Sequence, residues 1–316
     1  MRAPITILLV FLLWIAGAAA VTKNGFQLQP SLVKPAEIRR GGPPKDGIPA
    51  IVRPQFVKAN AVDFLAPEDR VLGLDLDRVP RAYAVKILDW HEVVNDWTQP
   101  SRVLVTYCPL CGSGMAFRVD DDMFGVSGLL YNSGVLLYDV ATESLWSQIM
   151  GKAITGARMG AVLTQIPLVH TSWAQWLSRH PDSWALSTDT GYRPSANRRG
   201  ANYRRSAEYV AYERSRSLWQ PVSHRDRRFH PKAWVLGLEL GGVFKAYPFS
   251  VLEELPTPVE DLLAGRRVTI TFMDGTAWAE DAQGNLLPAV RMFWFAWYAF
   301  HPDTLVYVGQ RRRTVP

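Results

Sequence analysis

The sequence of 316 residues contains only two cysteines, too few for a scaffold held together by disulfides. It has no glycine-rich phosphate loop. It also lacks the Ser/His/Asp spacing or paired carboxylates that would indicate a hydrolase. Beyond the N-terminal region, no apolar run reaches the roughly 20 residues that a membrane-spanning helix needs. The sequence therefore leaves few places for chemistry, and the two cysteines come first.

The first 20 residues have the pattern of a secretory signal peptide. Arg2 supplies a positive start, residues 5–16 form an apolar stretch, and residues 18–20 are three alanines that offer a cleavage site. We therefore predict a periplasmic or secreted protein. An uncleaved signal would be its one contact with a membrane.

The formal net charge of +6 comes largely from arginines between residues 193 and 228. These arginines are interleaved with four tyrosines, Tyr192, Tyr203, Tyr209 and Tyr212, and superficially resemble a nucleic-acid surface. A mild and local excess of basic charge is a weak argument for nucleic acid, and an exported protein seldom meets any. We predict a solvated basic connecting segment over residues 191–234 and no nucleic-acid partner.

Two sequence blocks occur twice, in the same order along the chain. The repeated blocks are VLGLDL (71–76) with RAY (81–83), VLGLEL (235–240) with KAY (245–247), HPDS (180–183) and HPDT (301–304). Two tryptophans precede each of the last two blocks at the same spacing. Matched blocks in the same order predict an internal duplication, with a first copy at residues 71–190 and a second at residues 235–316.

Each copy has the same predicted order of elements. Alternating apolar residues predict a strand pair, then a short helix, then a further strand at 103–107 or 268–272. The first copy alone continues into a strand at 115–119 and a hairpin over 124–139 that turns at Asn132. Residues 21–70, rich in proline and glycine, predict an extended N-terminal arm. The predicted fold is α+β and β-dominated, with two related halves, the first carrying a β-hairpin insertion.

The repeated histidines are predicted to lie at helix ends. Ser172 can cap the start of a helix, with Gln175 three residues further on, and Pro181 ends it. We therefore expect His180 and its counterpart His301 to interact with the terminal carbonyls, where a positive charge is favourable.

The strongest chemical signal is Cys108-Pro-Leu-Cys111, directly after a predicted strand. On the chain-entropy model, a disulfide closing so small a loop gives only about 2 kcal/mol. The spacing therefore favours reversible redox chemistry or a shared metal over a structural bridge. Gly112 and Gly114 oppose the helix that a thioredoxin-like site would place here, and they favour a metal-binding knuckle.

Two thiolates with few partners suit Cu(I) as well as Zn(II), so copper and zinc are the candidate metals. His91 is the nearest candidate ligand in sequence, because it shares the inward face of the first predicted helix with Ile87 and Val94. A histidine that is merely hydrogen-bonded in the core explains the same pattern. Its neighbour Glu92 is expected to face solvent.

A polar set in and after the hairpin is a candidate substrate cleft beside the cysteines, because site residues concentrate on such connections. Ordinary polarity of an edge strand is the alternative explanation. The candidate residues are Tyr131, Asn132, Tyr138, Asp139, Glu143, Trp146 and Gln148. Within this set, the Trp146 ring would form a wall of the cleft on which a substrate could stack.

These motifs closely resemble the bacterial and archaeal family called domain of unknown function 3179. The matching stretches are GGPPKDGIPA (41–50), WHEVVND (90–96), VTYCPLCG (105–112), FGVSGLLYNS (124–133), residues 138–148 and HPDT (301–304). The resemblance covers nearly all of the sequence after the signal. It implies an exported protein in which the Cys-x-x-Cys is a family feature, and it supplies no activity.

Three functions remain open from the sequence. The leading hypothesis is an exported protein that binds copper or zinc through Cys108, Cys111 and His91. The second is a periplasmic thiol–disulfide oxidoreductase in which the two cysteines are catalytic. The third is a non-catalytic ligand-binding module. The implied partner is correspondingly a metal ion, a redox partner or an unidentified small molecule.

Overall fold

The computed structural model describes residues 21–76, 79–97, 101–192 and 203–309. The predicted signal peptide lies outside these described residues. Strands account for 41% and helices for 14%, which confirms a β-dominated α+β fold. Within the described ranges, no helix is long and apolar enough to cross a membrane.

The described strands are short and mostly joined by tight turns. In chain order they are β1 (Thr22–Lys23), β2 (Phe26–Gln27), β3 (Arg39–Arg40), β4 (Phe56–Lys58), β5 (Arg70–Leu76), β6 (Val79–Ala84), β7 (Val93–Asp96), β8 (Arg102–Cys108), β9 (Ser113–Val119), β10 (Phe124–Tyr131), β11 (Gly134–Asp139), β12 (Leu145–Ser147), β13 (Lys152–Ala153), β14 (Thr164–Ile166), β15 (Val169–Ser172), β16 (Trp184–Leu186), β17 (Trp234–Leu240), β18 (Val243–Pro248), β19 (Val259–Leu263), β20 (Arg266–Met273), β21 (Thr276–Asp281), β22 (Val290–Phe293) and β23 (Leu305–Val306). The α-helices are α1 (Val85–His91), α2 (Trp173–Arg179), α3 (Ala207–Arg214), α4 (Phe249–Leu252) and α5 (Trp294–Phe300).

The strands form five sheets and one small hairpin, β1–β2. Sheet A has the order β15-β5-β6-β16-β4, and sheet B has the order β22-β17-β18-β23. Sheet C is β14-β9-β8-β7, sheet D is β13-β12-β11-β10-β3, and sheet E is β19-β20-β21. The N-terminal arm lies along this body, because β3 pairs with β10, β4 pairs with β16, and Ile51 bridges to Val94.

The first four strands of sheet A correspond in order to the four strands of sheet B, and β4 of the N-terminal arm has no counterpart. In each, a long antiparallel pair (β5–β6 or β17–β18) is flanked by an antiparallel strand on one side and a parallel strand on the other. A Cβ on Gly73 would come within 2.2 Å of the Trp176 ring, and one on Gly237 would come within 2.2 Å of the Trp297 ring. The glycine of each VLGL block is therefore required by a tryptophan that packs on the strand.

The repeated tryptophans are also held in the same way. The Trp176 indole N–H donates to Ser183 Oγ at 2.7 Å, and the Trp297 indole N–H donates to Thr304 Oγ1 at 2.8 Å. Serine or threonine in the HPDS and HPDT blocks is thus the acceptor that a buried indole N–H needs.

The two repeated histidines end their helices, as predicted. Each donates its backbone N–H to the tryptophan carbonyl four residues earlier. Their rings, however, lie tilted against tryptophan rings, with centroids 4.0 Å from Trp176 and 4.3 Å from Trp297. Burial lowers the pKa of His180 and lowers that of His301 to about 4. Both shifts favour the neutral ring over the cation expected at the helix end.

The strands that follow α1 and α4 form two antiparallel meanders, β7-β8-β9 in sheet C and β19-β20-β21 in sheet E. The flanking strands of each half pack against the meander of the other half, since β22 lies against β9 and β15 lies against β21. The largest apolar cluster accordingly draws on both halves, with Cys108 and Cys111 from one and Met292 and Trp294 from the other. The cysteines lie in the shared core.

Candidate functional site

The cysteine loop is the closed end of the β8–β9 hairpin. Cys108 ends β8 and pairs with Ser113 at the start of β9, and the Cys111 N–H donates to the Cys108 carbonyl at 3.2 Å. The chain turns at Gly112, which has φ +64°. A strand follows the loop directly, so the prediction that no helix begins at the cysteines is confirmed.

The second half of the molecule supports this loop from outside. The Phe293 N–H of β22 donates to the Cys111 carbonyl at 2.9 Å. The Trp234 ring lies so close to Gly112 that a Cβ there would come within 2.6 Å of it. Gly112 is therefore needed both for its backbone conformation and for the approach of this ring.

Both thiols are free and are 1% and 0% exposed. Each faces the Ser133 carbonyl, which lies 3.4 Å from Cys111 Sγ and 3.8 Å from Cys108 Sγ. Ser133 belongs to the turn between β10 and β11, where Asn132 and Ser133 have φ +50° and +63°. This is the hairpin turn that the sequence predicts, and its backbone forms one wall of the thiol site.

The surroundings of the two thiols make them chemically unequal. Burial alone would raise the pKa of Cys108, but hydrogen bonds from the Cys111 thiol and from the backbone N–H groups of Val135, Cys111 and Leu110 bring it below its usual value. Burial raises the pKa of Cys111 well above its usual value, and its hydrogen bond to Cys108 raises it further. Cys108 is thus the sulfur that ionises first.

Glu92 is a functional candidate that the sequence reasoning missed. It was expected to face solvent, but its side chain is buried, with only 7% of the residue exposed. It ends α1 in a left-handed conformation (φ +58°), and its carbonyl accepts the Tyr107 N–H at 2.8 Å, next to Cys108. Burial, followed by the nearby charges of Cys108 and Asp89, raises the pKa of Glu92 well above its usual value.

A signal for Glu92 was present in the sequence. A helix that ends in the left-handed conformation usually has glycine or asparagine at that position. Here a glutamate stands between the apolar face of α1 and the buried pair Val93 and Val94. A charged residue inside so apolar a stretch is buried at a cost, which is typical of functional sites.

The structure does not bring His91 to the cysteines. Its Nδ1 lies 2.7 Å from the Pro49 carbonyl, and its Nε2 lies 2.7 Å from the Tyr203 hydroxyl. In the part of the chain that the structure describes, no three His, Cys, Asp or Glu residues are grouped to hold a metal ion. His91 is the hydrogen-bonded core histidine that the sequence reasoning kept as the alternative.

Two residues of the predicted cleft line a surface cavity of about 580 Å³. Tyr131 and Asn132 lie there beside His224 and Phe300. Asn132 also has a structural role, since its Oδ1 accepts the Ser223 N–H at 2.7 Å. The hairpin turn therefore lies between this cavity and the thiols.

Most of the remaining predicted cleft residues make hydrogen bonds inside the protein. The Tyr138 hydroxyl donates to Asp46 at 2.7 Å. Asp139 is fully buried and accepts the Trp146 indole N–H at 2.9 Å. Glu143 is exposed at a turn and has φ +56°. Trp146 is buried in the same apolar cluster as the two cysteines and packs edge-on against the Phe124 ring, so its role as a stacking wall stays a prediction.

Gln148 is the member of the predicted set that reaches the cysteine loop. Its Oε1 accepts the Ser113 hydroxyl at 3.0 Å, and its Nε2 donates to Thr106 Oγ1 at 3.0 Å. Both partners lie in the β8–β9 hairpin, on either side of the loop. Gln148 therefore ties sheet D to the strands that carry the cysteines.

The connecting segment, described over residues 203–234, is packed over the thiols. Tyr212 is 2% exposed and belongs to the same apolar cluster as the two cysteines. The Lys232 ammonium lies 3.8 Å from the centre of the Tyr212 ring and donates to the Ser215 and Ser217 carbonyls. The prediction of a solvated linker is therefore wrong for this part, because its aromatic side chains fill the core.

Ion pairs attach this segment to the first half. Arg205 pairs with Asp89 of α1 at 2.6 Å and with Glu213 of α3 at 2.6 Å. Glu213 in turn pairs with Arg70 of β5 at 2.8 Å. A reagent in solvent can reach the thiols only if this cover moves.

Comparison with known proteins gives one match. Residues 45–286 match the family described as "Protein of unknown function (DUF3179)". No curated protein and no solved structure matches the chain. The matched range includes the cysteine loop, Glu92, the connecting segment and both meanders.

Proposed function

The chain belongs to the DUF3179 family, and from its site we propose that the protein is a thiol–disulfide oxidoreductase. The observation that carries this proposal is the unequal environment of two adjacent buried thiols. Backbone N–H groups favour the thiolate of Cys108, while burial keeps Cys111 protonated. A low-pKa nucleophile beside a protonated resolving thiol is the arrangement that disulfide exchange requires.

The proposed reaction transfers two electrons to a partner disulfide. The Cys108 thiolate attacks one sulfur of the partner, so that a mixed disulfide forms and the other partner sulfur leaves as a thiolate. The Cys111 sulfur then attacks Cys108 Sγ, which closes the Cys108–Cys111 disulfide and releases the second partner thiolate. The dithiol is oxidised and the partner disulfide is reduced.

Glu92 is the group that we propose for the Cys111 proton. Cys111 must lose its proton before it attacks, and Glu92 and Cys111 lie close enough for the carboxylate to raise the pKa of the thiol. The raised pKa of Glu92 brings it nearer to that of a thiol, which lowers the cost of proton transfer between them. In the reverse reaction the protonated carboxyl returns the proton.

Copper binding is the second candidate. It is favoured by two sulfurs that face a single carbonyl, that of Ser133. Zn(II) requires four ligands, whereas soft thiolates select Cu(I). Since the described residues supply no group of three His, Cys, Asp or Glu, copper fits this donor set better than zinc.

Two broader expectations complete the proposal. Export through the predicted signal would place the pair where disulfides form and persist. The correspondence between sheets A and B supports an internal duplication in which only the first copy acquired cysteines. A ligand-binding module without redox chemistry remains the third candidate, and the cavity beside Tyr131 and Asn132 would be its site.

The test is an equilibration of the full chain in glutathione buffers, followed by alkylation and mass spectrometry. We expect one two-electron transition between about −120 and −270 mV. Cys111→Ser should accumulate a glutathione adduct on Cys108, whereas Cys108→Ser should form little adduct. A potential below about −300 mV would contradict the proposal, because such a disulfide is structural.

Metal content is measured on the same preparation, purified without chelator. Stoichiometric copper that is lost in the Cys108→Ser/Cys111→Ser variant would favour the second candidate. A small-molecule ligand retained by that double variant would favour the third.

A further inference from the structure

A small cavity lies between the two halves, lined by His170 of β15 and Arg291 of β22. Its free volume is about 10 Å³, enough for one water molecule or one monatomic ion. The remaining wall is mainly apolar and includes Val169, Leu236 and Ala289. No carboxylate from the described residues lines it.

His170 is 3% exposed, and neither of its ring nitrogens has a hydrogen-bond partner within the described ranges. Native proteins rarely leave a buried polar group unpaired, and an unseen water or ion is a common reason. Burial, together with the charges of Arg291 and Arg70, holds the pKa of His170 well below its usual range. The ring is therefore neutral and offers one N–H donor.

Arg291 also has a buried nitrogen without a hydrogen-bond partner among the described residues, and its side chain carries a positive charge. Its Nη1 donates to the Gly275 carbonyl at 2.9 Å, but its buried Nε has no partner. No carboxylate among residues 21–76, 79–97, 101–192 and 203–309 forms an ion pair with it. A buried guanidinium without an ion-pair partner in contact is costly, so a negative occupant would be stabilising.

A second guanidinium contributes to the positive field. Arg70 and Arg291 lie over the Trp234 ring, at 5.6 Å and 4.2 Å from its centre. Arg70 forms an ion pair with Glu213, whereas Arg291 forms none among the described residues and feels the charge of Glu213 only at longer range. A cation in the cavity would therefore be repelled, and a water molecule would leave the charge uncompensated.

The cavity also lies where the two halves present equivalent positions. His170 is opposite Leu72 in sheet A, and Arg291 is opposite Leu236 in sheet B. Leu72 and Leu236 occupy the same place in the two VLGL blocks. His170 and Arg291 therefore occupy equivalent positions, and His170 supplies a neutral N–H donor while Arg291 supplies a charged one.

We propose that this cavity binds a monatomic halide anion, held by a His170 ring N–H and the Arg291 Nε–H. The site is separate from the cysteine chemistry and joins the two halves through one shared ligand. Chloride is the halide that such a protein would meet in an exported compartment, and bromide is the probe.

The experiment compares thermal unfolding in sodium bromide and in sodium gluconate at constant ionic strength. We expect the unfolding midpoint to rise with bromide concentration and then to saturate, because a ligand that binds only the folded state stabilises it. Arg291→Met should remove the bromide-dependent shift. Arg267→Met, which alters an exposed arginine of β20, should retain it.

A crystal grown in bromide keeps the test decisive if Arg291→Met does not fold. We expect an anomalous bromide peak between His170 and Arg291 in the unchanged protein. Equal midpoints in the two salts, or a cavity without such a peak, would overturn the proposal and leave an ordinary buried water. A bromide shift that persists in a folded Arg291→Met protein would overturn it as well.

Discussion

The β8–β9 and β20–β21 hairpins occupy corresponding places in the two meanders, yet only the first carries cysteines. The first closes through the Cys108–Cys111 loop, and every residue of β8 after Arg102 is buried. The second closes through the two residues between Met273 and Thr276, and Met273 is 42% exposed. The same scaffold thus carries a buried loop in one half and an open turn in the other.

The difference lies in what surrounds the closed end of each hairpin. In the first half, sheet D and the connecting segment pack on the hairpin and provide the Ser133 carbonyl and the Tyr212 ring. In the second half, the chain passes from β21 to β22 through residues 282–289 without an inserted sheet. Burial of the loop comes from the surrounding insertions, and it raises the pKa of both thiols, while the hydrogen bonds inside the loop are what separate the two thiol pKa values.

The largest expected effect is a loss of stability, and it comes from comparing Gly112→Ala in the first hairpin with Gly275→Ala in the second. Both glycines have positive φ, +64° and +73°. A Cβ on Gly112 meets Trp234 at 2.6 Å, whereas one on Gly275 meets nothing within 4 Å. We expect Gly112→Ala to cost about 3 kcal/mol or more of unfolding free energy and Gly275→Ala only about 1 kcal/mol, measured by urea denaturation.

Equal costs for the two glycine substitutions would break the comparison. They would mean that Trp234 yields easily and does not fix the cysteine loop. Far-ultraviolet circular dichroism of both variants provides the control, because the unfolding energies are comparable only if each variant keeps its strands.

A smaller loss of stability is expected where the two halves are alike, at the hydrogen bonds of the repeated tryptophans. Ser183→Ala and Thr304→Val each remove the acceptor of a buried indole N–H, that of Trp176 or Trp297. We expect each change to lower the unfolding free energy by about 2 kcal/mol, since a buried donor is left unpaired. Costs that differ by more than about 1 kcal/mol would show that the two tryptophans are not equivalent in energy.

The smallest effect concerns Glu92 and appears as a pH dependence. Burial raises its pKa above the usual 4.5, with Cys108 and Asp89 adding to the shift. The folded protein therefore holds a proton that the unfolded chain releases, and stability falls as pH rises. Relative to Glu92→Gln, the unchanged protein should lose unfolding free energy between pH 5 and pH 6, by at most about 1.4 kcal/mol, the limit for one proton per pH unit.

The matched control is Glu254→Gln, which changes an exposed carboxyl just after α4 in the second half. It should follow the unchanged protein at every pH. If Glu92→Gln followed it too, the pKa of Glu92 would not be raised in the folded protein, and its carboxylate would be too weak a base to take the proton of Cys111 in the way proposed.

Features set by neighbouring residues were predictable from the sequence. The turn at Asn132 and Ser133 follows from residues that tolerate positive φ between two apolar strands. The start of α2 follows from Ser172, whose Oγ accepts the Gln175 N–H at 3.3 Å. The strand after Gly112 follows from glycines that disfavour a helix.

Features set by distant contacts were not predictable from the sequence. Tyr212 reaches the cysteines from about a hundred positions further along the chain, and its basic neighbourhood indicated solvent. Glu92 was assigned to the surface because charged side chains are seldom buried. His91 had the position of a ligand, and only the fold shows that Tyr203 and Pro49 occupy its nitrogens.

The hydrogen bond from Phe293 to Cys111 has a consequence for the order of folding. During synthesis from the N-terminus, the cysteine loop emerges long before β22 exists. Until β22 docks against β9, the loop lacks an outer wall, and its thiols stay open to oxidants and metals. Contacts of such long sequence separation form late and slowly. The newborn chain therefore passes through a period in which the cysteine loop lacks its outer wall, and the mature environment of the pair is complete only after β22 has been made.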